Sequence, residues 1–274
     1  MSAANSTLAP SAISTLYRNP RIGDLTLRTS DGVELHVYRA IVAASIPVFE
    51  DMFSIPQPPS ASSEKPTIDV AESSEVWETL IMLCYAPRPP TVDDFADLDA
   101  IRAILDAGVK YAMAVATEYA STALMFPALV AKQPYSVYAV GCAYRLTEVS
   151  RVAARQTLTA TIYFEYSKEL DLIPLRAYHR LSEYRRRCGD AIRAQIQANQ
   201  IIATPFLPYV ESIYSQAVYL PDPNLARSKV LTAKVIQSVS VCPYCPEIIH
   251  GVCSKASEAL YKWLEEAVTQ VRPR

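Results

Sequence analysis

Glycine is scarce in this chain, at six of 274 residues, and histidine scarcer, at three. With so few glycines there is little backbone able to wrap a phosphate, and no Gly-rich phosphate loop occurs. The histidines, His36, His179 and His250, are far apart in sequence. No Gly-x-Ser-x-Gly elbow or His-Glu-x-x-His pair is present, and no acid/base pair can be nominated. The chain is therefore read as non-enzymatic, with no catalytic residue, cofactor or metal site assigned. Charge of one sign is also lacking: 26 basic residues face 28 acidic ones for a net charge of −2, so bulk charge points to neither nucleic acid nor an anionic membrane. The first twenty residues lack the basic start and apolar run of a secretory signal. The least charged stretch, Val109 to Ala131, still holds Lys110, Glu118 and Pro127, which argues against a membrane span. An intracellular protein, cytoplasmic or nuclear, is expected.

What is present is a globular composition, 50% apolar and 20% charged, over a length suited to one or two domains. Residues 1–21 are dominated by Ser, Ala, Thr and Pro and are expected to form a disordered tail. From Asp24, Leu25 and Leu27 and then Val33, Leu35 and Val37 alternate with polar residues around Ser30-Asp31-Gly32, which predicts a β-hairpin with Gly32 in the turn. Two short apolar bursts at helical spacing follow, from Arg39 and from Pro47 to Phe53, with Ser45 as the expected cap of the second. Thr67 to Val70 reads as a short strand, and Ser73 or Ser74 as the cap of a helix through Val76, Trp77, Leu80, Ile81 and Leu83 that stops before Pro87. A helix carrying Leu98, Ile101, Ile104 and Leu105 comes next. Further on, helices are predicted over 137–145, 148–159, 175–198 and 254–271, with a Pro-rich loop over 203–224. No repeat period is apparent.

The segment DLTLRTSDGVELHVYRAIVAASIPVFEDMF, residues 24–53, resembles the signature of the BTB/POZ family. Asp24, Arg39, Ile41, Val42, Ser45, Phe49, Met52 and Phe53 fall on matching positions, while Tyr38 stands where the family usually has histidine. The stretch from Ile104 to Met113 is similar to the family's later helix ending in Lys-Tyr. Residues 136–146, 178–184 and the Cys242 to Trp263 region look similar to the helical C-terminal part of fungal, basidiomycete-type BTB proteins. The resemblance implies an α+β fold, a small β-sheet wrapped by helices, over residues 22–126, and an all-α region over 127–274. It also implies a protein-interaction scaffold or adaptor that homodimerises through its first helices and binds an unidentified protein partner. Asp24, Arg39, Val42, Val48, Phe49 and Met52 are the candidate dimer-interface residues, Asp24 and Arg39 by their match to the charges that line the family's dimer groove. The plain alternative is that Asp24 ends a strand and Arg39 starts a helix in solvent.

Some family members are adaptors for cullin-type ubiquitin ligases and carry an apolar-x-Glu element just after the Met-Phe helix. Here that region is Ser54-Ile-Pro-Gln-Pro58 with no glutamate before Glu64, so the cullin scaffold is kept only as an alternative partner. Cys242, Cys245, His250 and Cys253 lie within twelve residues and have the chemistry of a zinc site. Pro243 and Pro246 instead favour a stiff turn holding small buried thiols, and that reading is preferred. Arg180, Arg185, Arg186, Arg187 and Arg193 beside Tyr178 and Tyr184 raise nucleic-acid binding by a transcription-associated protein. The apolar line Tyr178, Leu181, Tyr184, Cys188, Ile192 and the nearby Glu183 and Asp190 favour a solvated amphipathic helix.

Overall fold

The computed structural model describes residues 16–56, 65–86, 88–91, 97–160, 166–198, 207–228 and 246–273, without the side chains of 207–209 and 246–253. The chain divides into two compact units, Met1–Phe126 and Pro127–Arg274.

The first unit is α+β. Strand β1 (Leu25–Arg28) pairs antiparallel with β2 (Glu34–Val37) and parallel with β3 (Thr67–Asp69), giving the order β2-β1-β3. The hairpin turn places Gly32 at φ 79°, where a side chain would be strained. Alternation predicts one wet face, yet Thr26 and His36 on that face are buried too. They are cross-strand partners, and Thr26 Oγ1 lies 3.1 Å from His36 Nδ1, so each satisfies the other's polar group.

Helices α1 (Arg39–Ser45) and α2 (Pro47–Ser54) follow β2, and α3 (Ser74–Tyr85) follows β3. Ser45 ends α1 rather than capping α2; Ile46 is the cap residue and Pro47 supplies the first helical position, where its missing N–H costs nothing. The cap of α3 comes from elsewhere in sequence. Asp31 in the hairpin turn accepts from the Ser74 N–H at 3.0 Å and from Ser74 Oγ at 2.6 Å, fastening the turn to the helix. Those bonds, first that from Ser74 Oγ and then that from Thr29, hold the Asp31 carboxyl down to about 2.

The core of this unit is aromatic. Phe49, Trp77 and Tyr111 meet pairwise with centroids 5.2–5.7 Å apart, and the Phe53 ring lies edge-on to Phe49. Contacts of this kind add about 0.5–1.5 kcal/mol each beyond the area they bury. Part of the expected tail belongs to the unit: Tyr17 is buried against Tyr85 with centroids 5.2 Å apart, Arg18 pairs with Glu78, and Lys65 Nζ donates to the carbonyls of Pro20 and Ile22. A tail ending at residue 21 is thus too long; residues 1–15 lie outside the described residues.

Helices α4 (Leu98–Lys110) and α5 (Ala114–Leu124) complete the first unit, and the second opens with α6 (Pro127–Lys132), α7 (Pro134–Ala143) and α8 (Thr147–Gln156). Here a repeat appears that the letters alone conceal. Gly108, Tyr111, Ala112, Met113 and Thr117 of the α4–α5 hairpin correspond to Gly141, Tyr144, Arg145, Leu146 and Ser150 of the α7–α8 hairpin at a constant spacing of 33 residues. In both turns a residue takes a left-handed conformation, Ala112 at φ 54° and Arg145 at φ 58°. The next N–H then bonds back to the glycine carbonyl at 2.8 Å, a Schellman closure. Each glycine lets the two helices touch: a Cβ on Gly108 would lie 3.0 Å from Thr117 Oγ1, and one on Gly141 2.7 Å from Ser150 Oγ. Identity between the hairpins is too low for a residue-by-residue scan to find; what repeats is the turn chemistry.

The rest of the second unit is α9 (Leu175–Ala198), α10 (Leu207–Gln216) and α11 (Pro246–Gln270), with 3₁₀ turns at Thr157–Thr159, Lys168–Leu172 and Pro223–Arg227. The Pro-rich loop expected over 203–224 contains α10. Pro208 falls in its first turn, where no helical hydrogen bond is lost, and Val210, Ile213 and Ala217 bury one face. Buried Arg185 on α9 donates to the carbonyls of Ala160 at 2.8 Å and Tyr219 at 3.1 Å, tying the two flanking turns to the helix.

Candidate functional site

The six residues singled out from the sequence gather on β1, α1 and α2, but with different tasks. Asp24 stands just before β1, and its Oδ1 accepts the Arg39 N–H at 2.6 Å, so it caps α1, whose own cap residue Tyr38 offers no side-chain bond. Arg39 does not meet Asp24 through its guanidinium. It turns toward α2, donates to the Phe53 carbonyl at 3.0 Å and lies 4.4 Å from the Phe53 ring centroid. The pair therefore fixes the angle of α1 and α2 while Asp24 stays exposed.

Val42 and Phe49 are buried, at 0% and 2% exposure, in the unit's own core. They lie beneath the surface of α1 and α2. The side of α2 turned to solvent carries Val48, 38% exposed, and half-buried Met52, and it continues to Ile55, 60% exposed, just past the helix. These three sit at i, i+4 and i+7, one helical stripe. Tyr38, at the start of α1, is a further exposed large side chain, held by a bond from its N–H to Tyr85 Oη at 2.9 Å. The prolines after Ile55 read as loop, yet its spacing from Val48 is helical.

Three of the five arginines of the basic helix are engaged within the protein. Arg186 pairs with Glu183 and Asp190, each at 2.7 Å, Arg193 pairs with Asp190, and Arg185 is buried. Of the cysteine cluster, Cys242 and Cys245 lie outside the described residues, and His250 and Cys253 fall on the backbone of α11 with their side chains outside them. Cys84 and Cys188 are free thiols pushed by burial to about 11, so they stay protonated near neutral pH. Among the described residues no helix is long and apolar enough to cross a membrane.

Residues 14–124 match the family model of the BTB/POZ domain. No curated protein matches the chain. The matched range starts just before the docked Tyr17 and ends with the last residue of α5. The three-stranded sheet wrapped by helices, the hairpin signature and this match together make residues 14–124 a BTB/POZ domain, a protein–protein interaction module, followed by a helical C-terminal region.

Proposed function

We propose that this chain is a non-enzymatic scaffold or adaptor that homodimerises through the outer face of α2, with Val48, Met52 and Ile55 at the centre and Arg39 and Tyr38 beside them. The observation that carries the reading is the exposed apolar stripe on a helix whose opposite side is anchored in an aromatic core. A rigid, outward apolar row is what a two-fold interface can bury against its own copy. Asp24 and Arg39 act on this surface by holding the two helices in register, and the family's groove role for them is part of the same proposal.

Light scattering on the full chain tests it: a species of about twice 30.3 kDa is expected at micromolar concentration. Val48→Glu, which places a charge at an exposed position and so spares the fold, is expected to give the monomer. A strictly monomeric wild-type chain would remove the proposal. The cullin-adaptor reading rests on the family alone, and Glu64 lies outside the described residues. Nucleic-acid binding is the less supported alternative, since Arg185, Arg186 and Arg193, three of the five arginines that raised it, are engaged within the protein.

A further inference from the structure

The second unit contains a surface cavity of about 320 Å³ between the α7–α8 hairpin and α9. Its floor includes Leu181 and Tyr184, both buried, and its rim carries Arg145, Arg151 and Arg180. Among the described residues no carboxylate lines it, and Pro273 completes the lining. Arg151 pairs with Glu148 at 2.7 Å, whereas Arg145 and Arg180 make no ion pair among the described residues. An adjoining groove adds His179 and Arg187, and its one acid, Glu183, is already held by Arg186. Among the described residues of a chain of net charge −2, Arg145 and Arg180 thus bring positive charge without an ion-pair partner to this opening.

The rim is built at a conformational cost. Arg145 occupies the left-handed position of the α7–α8 turn at φ 58°, where glycine would sit without strain, and from there its side chain reaches the cavity. Thr147, which begins α8, also lines the cavity, and the helix has no side-chain cap at Leu146. Guanidinium forks matched to oxygen pairs are the chemistry that recognises a tetrahedral oxyanion. Nucleic acid would need a continuous track of cations. Here they converge on one cavity, and the arginines farther along α9 are neutralised by Glu183 and Asp190. The apolar floor suits a short aliphatic stem beneath the anion.

We infer that this cavity binds a phosphomonoester, the phosphorylated serine or threonine of a protein partner. The protein source of the phosphate rests on the interaction-module reading; the phosphate chemistry rests on the cavity. The test uses the full chain and fluorescence anisotropy with a random peptide library centred on phosphoserine or phosphothreonine, and the same library unphosphorylated. The phosphorylated library is expected to bind roughly tenfold tighter or more and to be displaced by inorganic phosphate. Arg145→Gly with Arg180→Gln, both exposed positions, is expected to lose that difference, while Arg186→Gln keeps it. Equal binding of the two libraries, or a preference that survives the double variant, overturns the inference. So does binding of inorganic phosphate with no preference for the phosphorylated library, or tighter binding to vesicles carrying phosphoinositides. Light scattering separates this from the dimer: the double variant keeps the wild-type mass, and Val48→Glu keeps the phosphate preference.

Discussion

Ala112 sits at φ 54° with its side chain exposed, so its methyl group brings backbone strain and no buried contact. The left-handed region costs a residue bearing Cβ about 1–2 kcal/mol, partly returned in the unfolded chain when glycine replaces it. Ala112→Gly is therefore expected to raise stability by up to about 1 kcal/mol, seen as a higher urea midpoint with an unchanged slope. A lower midpoint would mean that the methyl group supports the turn. Gly141 stands at the other extreme. Its hydrogen is all that the space allows, because an added Cβ would stand 2.7 Å from Ser150 Oγ and 2.9 Å from Ser150 N.

Between elements, a single carboxylate does much of the joining in the first unit. Glu72, just before α3, accepts from Trp77 Nε1 at 3.2 Å on that helix, and from Lys110 Nζ at 2.6 Å and Tyr111 Oη at 2.7 Å at the end of α4. Burial pushes its carboxyl up, but the bonds from Lys110 and Tyr111 outweigh that and hold it below its ordinary 4.5. Because the folded value is depressed, the stabilisation is present above pH 4.5 and is lost as the pH falls through the folded value. Lys110 is half exposed, so the ion pair contributes little and the two aromatic donors contribute most. Glu72→Gln is expected to cost about 1–3 kcal/mol at pH 7, with the gap to wild type closing as the pH falls below 4.5 and through the folded value, where the native carboxylate takes up its proton. Chemical denaturation across that range measures it; a gap independent of pH would show that shape, not charge, is what the Gln variant loses.

This network shows where the letters stop being legible. The hairpin, the strand at Thr67 and the helix over 175–198 follow from periodicity and turn residues, which are local. Asp31 capping α3, Glu72 joining two helices and Tyr17 docking on Tyr85 depend on residues 38 to 68 positions apart, and no local pattern encodes them. The candidate interface was half legible for the same reason. Helical spacing identifies Val42, Val48, Phe49 and Met52, but only the packed structure divides them into inward Val42 and Phe49 and outward Val48 and Met52, and adds Ile55 just past the helix. In the second unit, local proline chemistry misled over α10, since a proline in a helix's first turn and one in a loop look alike until the buried face is seen.

At the scale of the whole molecule, the two units each carry a core and, by the placement of the chain's two tryptophans, each a reporter. Trp77 is fully buried among Phe49 and Tyr111, whereas Trp263 on α11 is 38% exposed. Trp263→Phe therefore removes the second unit's signal at little structural cost and leaves Trp77 to report the first. In that background Gly141→Ala forces the α7–α8 hairpin apart at the Ser150 backbone, a strain that typically costs about 1–3 kcal/mol. If the BTB/POZ domain holds its own stability, amide exchange in α7 and α8 accelerates while the urea midpoint of Trp77 stays in place at fixed protein concentration. A joint shift of both would make the chain one cooperative body. Independence is the expected outcome, because the aromatic cluster, the Glu72 joint and the Asp31 cap that secure the first unit all draw their partners from within it.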